Sequence, residues 1–255
     1  MAESVCPICG GTGWKIVEKA GLSGAERCEC AAGARLRSIQ ESSGIPPNYK
    51  SASLDNFRVP QDNPAARAGL GTVLMQVRAF VREFPAEGRP GLLLIGDPGT
   101  GKTHLAVAAF RVLMEKGHEG VFFDYQNLLE RIRWSFDSAS GASDREAYRS
   151  ALDTEILLLD DLGSHRVTDW VEDTVTSIIT YRCNHRKPLI ATTNLPDEDI
   201  TGNVLGYRDA AGVAVNRRTL AEAIGMRARS RLFEMCRVVK MPAVEDYRIQ
   251  TRVAR

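Results

Sequence analysis

The sequence lacks a long apolar run, a secretion signal and a large excess of charge of either sign. No segment approaches the roughly 20 consecutive apolar residues that a membrane-spanning helix needs, and the N-terminus lacks the basic and then apolar pattern of a signal peptide. The chain carries 33 Lys and Arg against 32 Asp and Glu, which argues against a protein that coats nucleic acid through bulk charge. We therefore expect a cytoplasmic protein with no membrane partner.

The positive charges are nevertheless concentrated near the C-terminus. Residues 204–255 contain ten Arg and one Lys against five acidic residues, a net charge of about +6. This local excess predicts either a basic face or a solvated, arginine-rich helix.

Composition also changes along the chain near residue 46. The first 49 or so residues are rich in Gly and Cys and poor in large aliphatic residues, and they end at the helix-breaking run Gly-Ile-Pro-Pro at residues 44–47. The remaining length suits one α/β core with a small appended module. We therefore predict an N-terminal module over residues 1–46 and a larger domain over residues 47–255.

Four of the six cysteines lie in this N-terminal module, in the pairs Cys6-Pro-Ile-Cys9 and Cys28-Glu-Cys30. In a reducing compartment such clustering favours a metal over disulfides. Four thiolates form a closed tetrahedral zinc site, which is structural and supplies folding energy that a small core lacks. The single residue between Cys28 and Cys30 is a tighter spacing than usual, so the alternative is a set of free thiols.

Short apolar runs alternate with helical patterns through the larger domain. Asn63-Pro64 is typical of a helix start, with an N-cap residue followed by proline at the first helical position. Continuous apolar runs separated by helices indicate a parallel sheet covered on both faces. We predict a three-layer α/β domain with five parallel strands, at Leu92–Ile95, Val121–Phe123, Ile156–Leu159, Leu189–Ala191 and Val238–Met241.

The first predicted strand of this sheet leads into a glycine-rich segment followed by a helical pattern, which is the context that a phosphate-binding loop requires. Its glycines let backbone N–H groups point at phosphate oxygens, and the helix N-terminus adds positive potential. We expect Lys102 to contact the β- and γ-phosphates and the Thr103 hydroxyl to ligate Mg²⁺. The predicted ATP- or ADP-binding segment is Gly96, Asp97, Pro98, Gly99, Thr100, Gly101, Lys102, Thr103 and His104.

Two other predicted strands end in polar side chains, at the edge of the sheet where ligands bind. Asp160 is the expected magnesium-side carboxylate, and Asp161 is placed to orient or deprotonate an attacking water. Asn194 is placed to hydrogen-bond the γ-phosphate or that water. Because many ATPases of this type have Glu where this chain has Asp161, we expect slow hydrolysis. Turn-capping roles are the alternative for both segments.

Taken together, the motifs resemble those of the AAA+ superfamily, and within it the DnaC/DnaI-type helicase loaders and the related IstB-type transposition ATPases. The resemblance covers roughly residues 46–247 and rests on GDPGTGKTH, LLLDDLG, ATTNL and the arginine-rich MRARSRL at residues 226–232. It implies an AAA+ domain without a full C-terminal helical lid, since 14 residues follow Met241.

The resemblance also implies an active site that is shared between subunits. Arg231, with Arg227 one turn earlier on the same helical face, would reach the γ-phosphate held by the neighbouring subunit of a head-to-tail homo-oligomer, of which a spiral is one form. Ordinary surface arginines are the alternative.

The function that the resemblance implies is in DNA replication. An N-terminal module of this kind binds the replicative DnaB-type helicase, here with Trp14 and Ile16 as contacts, and the ATPase domain helps place the helicase on single-stranded DNA. Phe136, Thr168 and Trp170 match loader positions linked to DNA, where aromatic side chains beside positive charge stack bases. A core position is the alternative for Trp170. An IstB-like transposition helper is disfavoured by the cysteine module, and a non-hydrolysing, nucleotide-gated adaptor by the intact acid pair.

Overall fold

The computed structural model describes residues 6–19, 22–31, 41–60, 63–134, 143–201 and 218–247. Its strands are β1 (Trp14–Lys19), β2 (Leu22–Arg27), β3 (Gly91–Ile95), β4 (Gly120–Asp124), β5 (Ile156–Asp160), β6 (Leu189–Thr193) and β7 (Cys236–Lys240). Its main helices are α1 (Pro64–Glu83), α2 (Lys102–Glu115), α3 (Tyr125–Trp134), α4 (Ser143–Asp153), α5 (Asp169–Asn184), α6 (Glu198–Thr201), α7 (Leu220–Ile224) and α8 (Met226–Met235). Among the described helices, none is long and apolar enough to cross a membrane.

Strands β3 to β7 form the five-stranded parallel sheet that the apolar runs predict. The strand order is β4-β5-β6-β3-β7, and every neighbouring pair is parallel. Every residue of β3, β5 and β6 is buried, as expected where helices cover both faces of a parallel sheet. Because β6 lies between β5 and β3, the polar ends of these three strands are side by side.

Successive residues of the sheet contribute to two cores on its opposite faces. Leu92 and Leu94 of β3 belong to one core with α1 and α2, whereas Leu93 and Ile95 belong to the other with α3, α4, α5, α7 and α8. This alternation follows from the twofold period of a strand. The predicted three-layer α/β architecture is therefore confirmed.

Helix α1 begins where the Asn63-Pro64 pair predicts. The Asn63 side-chain oxygen accepts a hydrogen bond from the Ala66 N–H at 3.0 Å, and Pro64 occupies the first turn, where no N–H is needed. Val77 and Phe80 are fully buried in the first core and fix the apolar side of the helix on the sheet.

Arg182 of α5 links the segments that precede β5 and β6, although no sequence pattern singles it out. The side chain is fully buried, and burial lowers the pKa of its guanidinium to about 10. The guanidinium donates at 2.5 to 3.2 Å to the backbone carbonyl oxygens of Ala151, Leu152, Thr154, Glu155 and Pro188. It therefore joins these segments at the edge of the sheet opposite the polar strand ends.

The segment at residues 43–45 packs on the larger domain. The Ser43 carbonyl oxygen accepts a hydrogen bond from the Phe122 N–H of β4 at 2.6 Å, and Ile45 lies in the first core. Because these contacts precede residue 46, we propose that the domain boundary lies before Ser43. The N-terminal module is then the cysteine loops with the antiparallel β1–β2 hairpin.

Candidate nucleotide-binding and catalytic site

The glycine-rich segment forms a tight loop between β3 and α2. Gly99 and Gly101 adopt left-handed backbone angles, with φ of 75° and 90°, which residues with a side chain rarely adopt. The Lys102 Nζ donates to the Asp97 carbonyl oxygen at 2.7 Å, and the Thr100 Oγ1 donates to the same oxygen at 2.8 Å. The loop therefore curls back beside the ammonium group at the N-terminus of α2, where backbone N–H groups and the helix dipole favour phosphate.

This loop forms one wall of a cavity of about 810 Å³, a volume typical of small-ligand sites. The end of β5 and the end of β6 supply a second wall through Asp160, Asp161 and Asn194. Within the predicted binding segment, residues 98–104 line the cavity, whereas Gly96 packs against Met241. The side chains that the sequence predicts for phosphate binding, magnesium binding and catalysis within one subunit thus share one cavity.

Asp160 is the buried last residue of β5. The Thr103 Oγ1 donates to its two carboxylate oxygens at 2.9 and 3.2 Å, and the Thr192 Oγ1 donates to Oδ1 at 2.6 Å. Burial raises the pKa of Asp160, while these hydrogen bonds favour its charged form. A hydroxyl and a carboxylate in contact supply the hard oxygen ligands that Mg²⁺ takes together with substrate phosphates. The predicted pair Thr103 and Asp160 therefore fits the ion.

Asp161 follows the strand in an uncommon conformation and contacts Asn194. Its φ of 57° lies in the left-handed region, which few residues with a side chain adopt. The Asn194 amide donates to the Asp161 Oδ1 at 2.5 Å. A carboxylate and an amide in contact beside a phosphate loop can together orient a water molecule for attack on a phosphate.

His104 contacts the segment that precedes α1. Its Nε2 lies 3.0 Å from the Ser53 carbonyl oxygen, and its ring centroid lies 5.6 Å from that of Phe57. Phe57 also covers Gly101, where an added side chain would collide with the Phe57 ring. The segment therefore packs over the phosphate loop. A direct role of His104 in nucleotide binding stays a prediction.

Residues after β7 return to the same loop. The Tyr247 N–H donates to the Gly99 carbonyl oxygen at 3.2 Å, and an added side chain at Gly99 would collide with the Asp246 carboxylate. Val244 packs against the first core and lines the cavity. The chain beyond β7 thus supplies a further wall of the site.

Helix α8 carries arginines in two distinct environments. Arg229 turns inward and donates to the buried Asp197 carboxylate at 2.6 and 2.7 Å, and to Asp199 at 2.5 Å. Arg227 is exposed, and the side chain of Arg231 is 43% exposed. Neither of these two is among the described residues that line the cavity of their own subunit. Their exposure leaves them accessible to a neighbouring molecule.

The predicted DNA-contact residues differ in their surroundings. Thr168 caps α5, since its hydroxyl accepts a hydrogen bond from the Val171 N–H at 3.3 Å. Trp170 is half-buried against the second core. Phe136 lies outside the described residues, and the nearby Trp134, at the end of α3, is 59% exposed. Their contact with DNA stays a prediction.

The four N-terminal cysteines converge on one point. All their Sγ atoms lie within 4.8 Å of one another, with 3.9 Å between Cys6 and Cys28 and 3.3 Å between Cys9 and Cys30. Four sulfurs arranged tetrahedrally around Zn²⁺, with bonds of about 2.3 Å, lie about 3.8 Å apart. The tight spacing of the second pair is therefore compatible with a four-thiolate zinc site.

Comparison with known proteins agrees with this geometry. Residues 86–253, which include the phosphate loop, the acid pair and Asn194, match the family described as IstB-like ATP binding protein. The chain belongs to the IstB-like ATP-binding family. The resemblance drawn from the motifs is thereby confirmed.

The relatives of this IstB-like protein include helicase loaders. The solved structure of a DnaC helicase loader is 33% identical, covers 77% of this chain and 100% of the loader chain, and superposes with a TM-score of 0.59. The replicative helicase loader DnaC of Escherichia coli K12 is 26% identical over 166 residues, 65% of this chain and 64% of DnaC. YqaM of Bacillus subtilis, an uncharacterized protein, is 25% identical over 218 residues, 83% of this chain and 61% of YqaM. The chain thus spans less than two thirds of the length of these two curated relatives.

Three contributions to the site of this IstB-like protein are not predicted from its sequence. Thr192 contacts both members of the acid pair. Phe57 covers the phosphate loop from the segment before α1, and Asp246 approaches it from the segment after β7. The position of Thr192 on β6, two residues before Asn194, could have indicated that it lies near the site. Nothing in the sequence around Phe57 or Asp246 indicates their positions.

Proposed function

We propose that this IstB-like protein is an ATP-dependent helicase loader. It binds a DnaB-type replicative helicase and helps place it on single-stranded DNA during DNA replication, with slow ATP hydrolysis controlling the process. One observation carries the proposal: the phosphate loop, the acid pair and Asn194 converge on one cavity, in a chain that is 33% identical to a DnaC helicase loader over that loader chain's full length.

The residues of the cavity have complementary roles in ATP hydrolysis. The loop backbone and Lys102 bind the phosphates, and Thr103 and Asp160 would hold Mg²⁺, which neutralises charge on the phosphates when bound. Asp161, in contact with Asn194, orients the attacking water or accepts its proton. Asp at this position has a shorter reach than Glu, which supports slow turnover.

Completion of the site requires a second subunit in this proposal. Arg227 of α8 is exposed, and the side chain of Arg231 is 43% exposed. A planar, permanently charged guanidinium suits the charge that develops on a phosphate. A head-to-tail arrangement of identical subunits brings Arg231 of one subunit to the γ-phosphate bound by the next. The bound nucleotide then controls assembly as well as catalysis.

The N-terminal module supplies the surface for the helicase. Ile8, Trp14 and Ile16 are 65%, 52% and 83% exposed. Trp14 and Ile16 lie two residues apart on β1 and so share one face of the hairpin, and exposed apolar patches mark protein-binding surfaces. Ile8 lies between Cys6 and Cys9, so a zinc ion bound by the four cysteines would fix the loop that carries it. The module is then a rigid apolar platform for a protein partner.

Single-stranded DNA is the second proposed partner. Arg133 and Trp134 end α3 and are both exposed, which places positive charge beside an aromatic ring. Aromatic side chains beside positive charge stack bases without sequence preference. Phe136, two residues further on, and Thr168 and Trp170 at the start of α5 are the proposed contacts.

Co-purification with a replicative DnaB-type helicase, with and without ATP, tests the proposed function. We expect a stable complex, and ATP-dependent transfer of the helicase onto circular single-stranded DNA. Ile16→Glu should abolish the complex while leaving ATP affinity unchanged. Lys102→Ala should abolish ATP binding while leaving the complex with the helicase intact. A purified chain that binds no helicase in either nucleotide state contradicts the loader function.

A further inference from the structure

Thr192 has a place in the ATP site that the motifs do not assign. It is the fourth residue of β6, two residues before Asn194, and its side chain is fully buried. Its hydroxyl donates to the Asp160 Oδ1 at 2.6 Å and accepts from the Asp161 N–H at 3.0 Å. A single hydroxyl therefore contacts both members of the acid pair.

The backbone explains why the Asp161 N–H needs this partner. Paired residues of β5 and β6 end at Leu159 and Ala191. Beyond them, the Thr192 carbonyl oxygen accepts from the Leu162 N–H at 2.8 Å, and the Asp161 N–H donates to the Thr192 hydroxyl instead. The left-handed φ of 57° at Asp161 then turns the chain out of the strand. A left-handed backbone is unfavourable for a residue with a side chain unless its surroundings stabilise it. The hydroxyl thus helps to fix the direction in which the Asp161 carboxylate projects.

Two hydroxyls contact the Asp160 carboxylate, and their roles differ. Thr103 lies at the phosphate loop and lines the cavity, where it is the expected partner of Asp160 in holding Mg²⁺. Thr192 is not among the described residues that line the cavity. Its hydrogen bond therefore reaches Asp160 Oδ1 from outside the cavity and leaves Oδ2 to the side of Thr103.

We propose that Thr192 is a positioning residue of the ATPase site, whose hydroxyl orients the Asp160 carboxylate for Mg²⁺ and the Asp161 carboxylate for the attacking water. The inference rests on the proposed ATPase function of the site and deepens it. Thr192 acts through the two acids and does not touch the nucleotide.

The neighbouring residue in the strand provides a matched control. Thr193 is also fully buried, and its hydroxyl donates to the Leu162 carbonyl oxygen at 2.8 Å and accepts from the Leu195 N–H at 3.1 Å. Thr192→Val and Thr193→Val therefore each remove one donated and one accepted hydrogen bond without a large change in volume. Only Thr192→Val removes bonds to the acid pair.

The experiment compares wild type, Thr192→Val, Thr192→Ser and Thr193→Val in two measurements. The first is kcat for ATP hydrolysis, and the second is the affinity for a fluorescent ATP analogue in EDTA and with added Mg²⁺. We expect Thr192→Val to lower kcat by about 10- to 100-fold, and to lower the gain in affinity caused by Mg²⁺ by a similar factor, as for other groups that orient metal ligands. Its affinity in EDTA should be unchanged, and Thr192→Ser and Thr193→Val should stay close to wild type.

The outcomes separate this inference from the proposed function. If wild type hydrolyses ATP and Thr192→Val behaves like Thr193→Val in both measurements, the role of Thr192 is refuted and the ATPase function stands. If wild type binds Mg²⁺ and nucleotide without hydrolysis, the ATPase function is refuted and the Mg²⁺-dependent affinity alone decides the role of Thr192. Should Thr192→Val fail to fold, Thr192→Cys, with its weakly bonding thiol, replaces it in the same comparison.

Discussion

Replacing Arg231 with Ala tests the proposed shared active site, because the expected effect on ATP hydrolysis is large and the expected effect on stability is small. The side chains of Arg231 and its partner Glu234 are 43% and 58% exposed. An exposed ion pair contributes little to the free energy of unfolding, so Tm should fall by no more than about 2–4 °C for a chain of this size. We therefore expect Arg231→Ala to fold and to bind ATP like wild type.

The expected loss is in catalysis. An arginine that stabilises charge on the transferred phosphoryl group contributes about 10³-fold or more to kcat. Arg229→Ala is the matched control from the same helix, because the side chains of Arg229 and Asp197 are only 16% and 1% exposed. Its removal breaks a buried ion pair, which costs about 3–5 kcal/mol or about 6–20 °C in Tm. Thermal melting and ATP hydrolysis at several protein concentrations distinguish the two variants.

A mixing experiment tests whether Arg231 acts on the neighbouring subunit. Asp161→Asn retains Arg231 and lacks the carboxylate that orients water, so each variant is inactive alone. In a random equimolar head-to-tail assembly, about a quarter of the interfaces combine an intact acid pair with an intact Arg231, and about a quarter of the wild-type rate should return. Full activity of Arg231→Ala alone, or no recovery from two folded variants that assemble together, refutes the shared site.

Three further perturbations test other parts of the molecule. Cys9→Ser should abolish bound zinc and helicase binding while leaving ATP affinity intact, because the metal stabilises only the N-terminal module; unchanged metal content would contradict the zinc site. Asp160→Asn should abolish hydrolysis and raise Tm at neutral pH. Burial raises the pKa of Asp160, so the free energy of unfolding falls as the pH rises from the ordinary pKa of 3.8 through the raised pKa, and a neutral side chain avoids this loss. A lower Tm for Asp160→Asn contradicts that reasoning. Arg182→Met should lower Tm by about 6–12 °C through a loss of about 3 kcal/mol, since five carbonyl oxygens each lose the hydrogen bond from the guanidinium. An unchanged Tm would show that the fold does not depend on these hydrogen bonds.

The parts of the site that follow from local chemistry are the parts that the sequence predicts. The spaced glycines followed by Lys-Thr, between an apolar strand and a helix, are the pattern of a phosphate loop, so the positions of Lys102 and Thr103 follow from it. Asp160 is the last residue of β5 and Asn194 directly follows β6, and the carboxyl ends of parallel strands meet at a single edge. The cysteine pairs are likewise distinctive in sequence, and the short β1–β2 hairpin between them brings the four thiols together.

The parts that depend on contacts distant in sequence could not be predicted. Phe57 and Asp246 lie near the two ends of the domain in sequence, yet both contact the phosphate loop. Nothing in the residues next to them in sequence indicates this contact. Arg182 has the local pattern of an ordinary basic residue near a helix end, yet tertiary packing buries it completely. Thr192 has the pattern of a β-branched strand residue, and its contact with the acid pair exists only once β5 and β6 are paired.

The anchoring of α8 suggests a route by which ATP bound at one site would control contact with the next subunit of the proposed assembly. Asp197, which binds Arg229 through two hydrogen bonds, lies three residues after Asn194, and the adjacent Pro196 carbonyl oxygen accepts from the Leu220 N–H at the start of α7. The segment that follows Asn194 is therefore hydrogen-bonded to the start of α7 and to α8, the helix that carries Arg231. If the γ-phosphate displaces Asn194, either the Arg229–Asp197 ion pair is strained or α8 moves together with Asn194. Breaking a buried ion pair is costly, so movement of α8 is the favoured outcome. We therefore expect the state of the nucleotide to set the position of Arg231 at the neighbouring site.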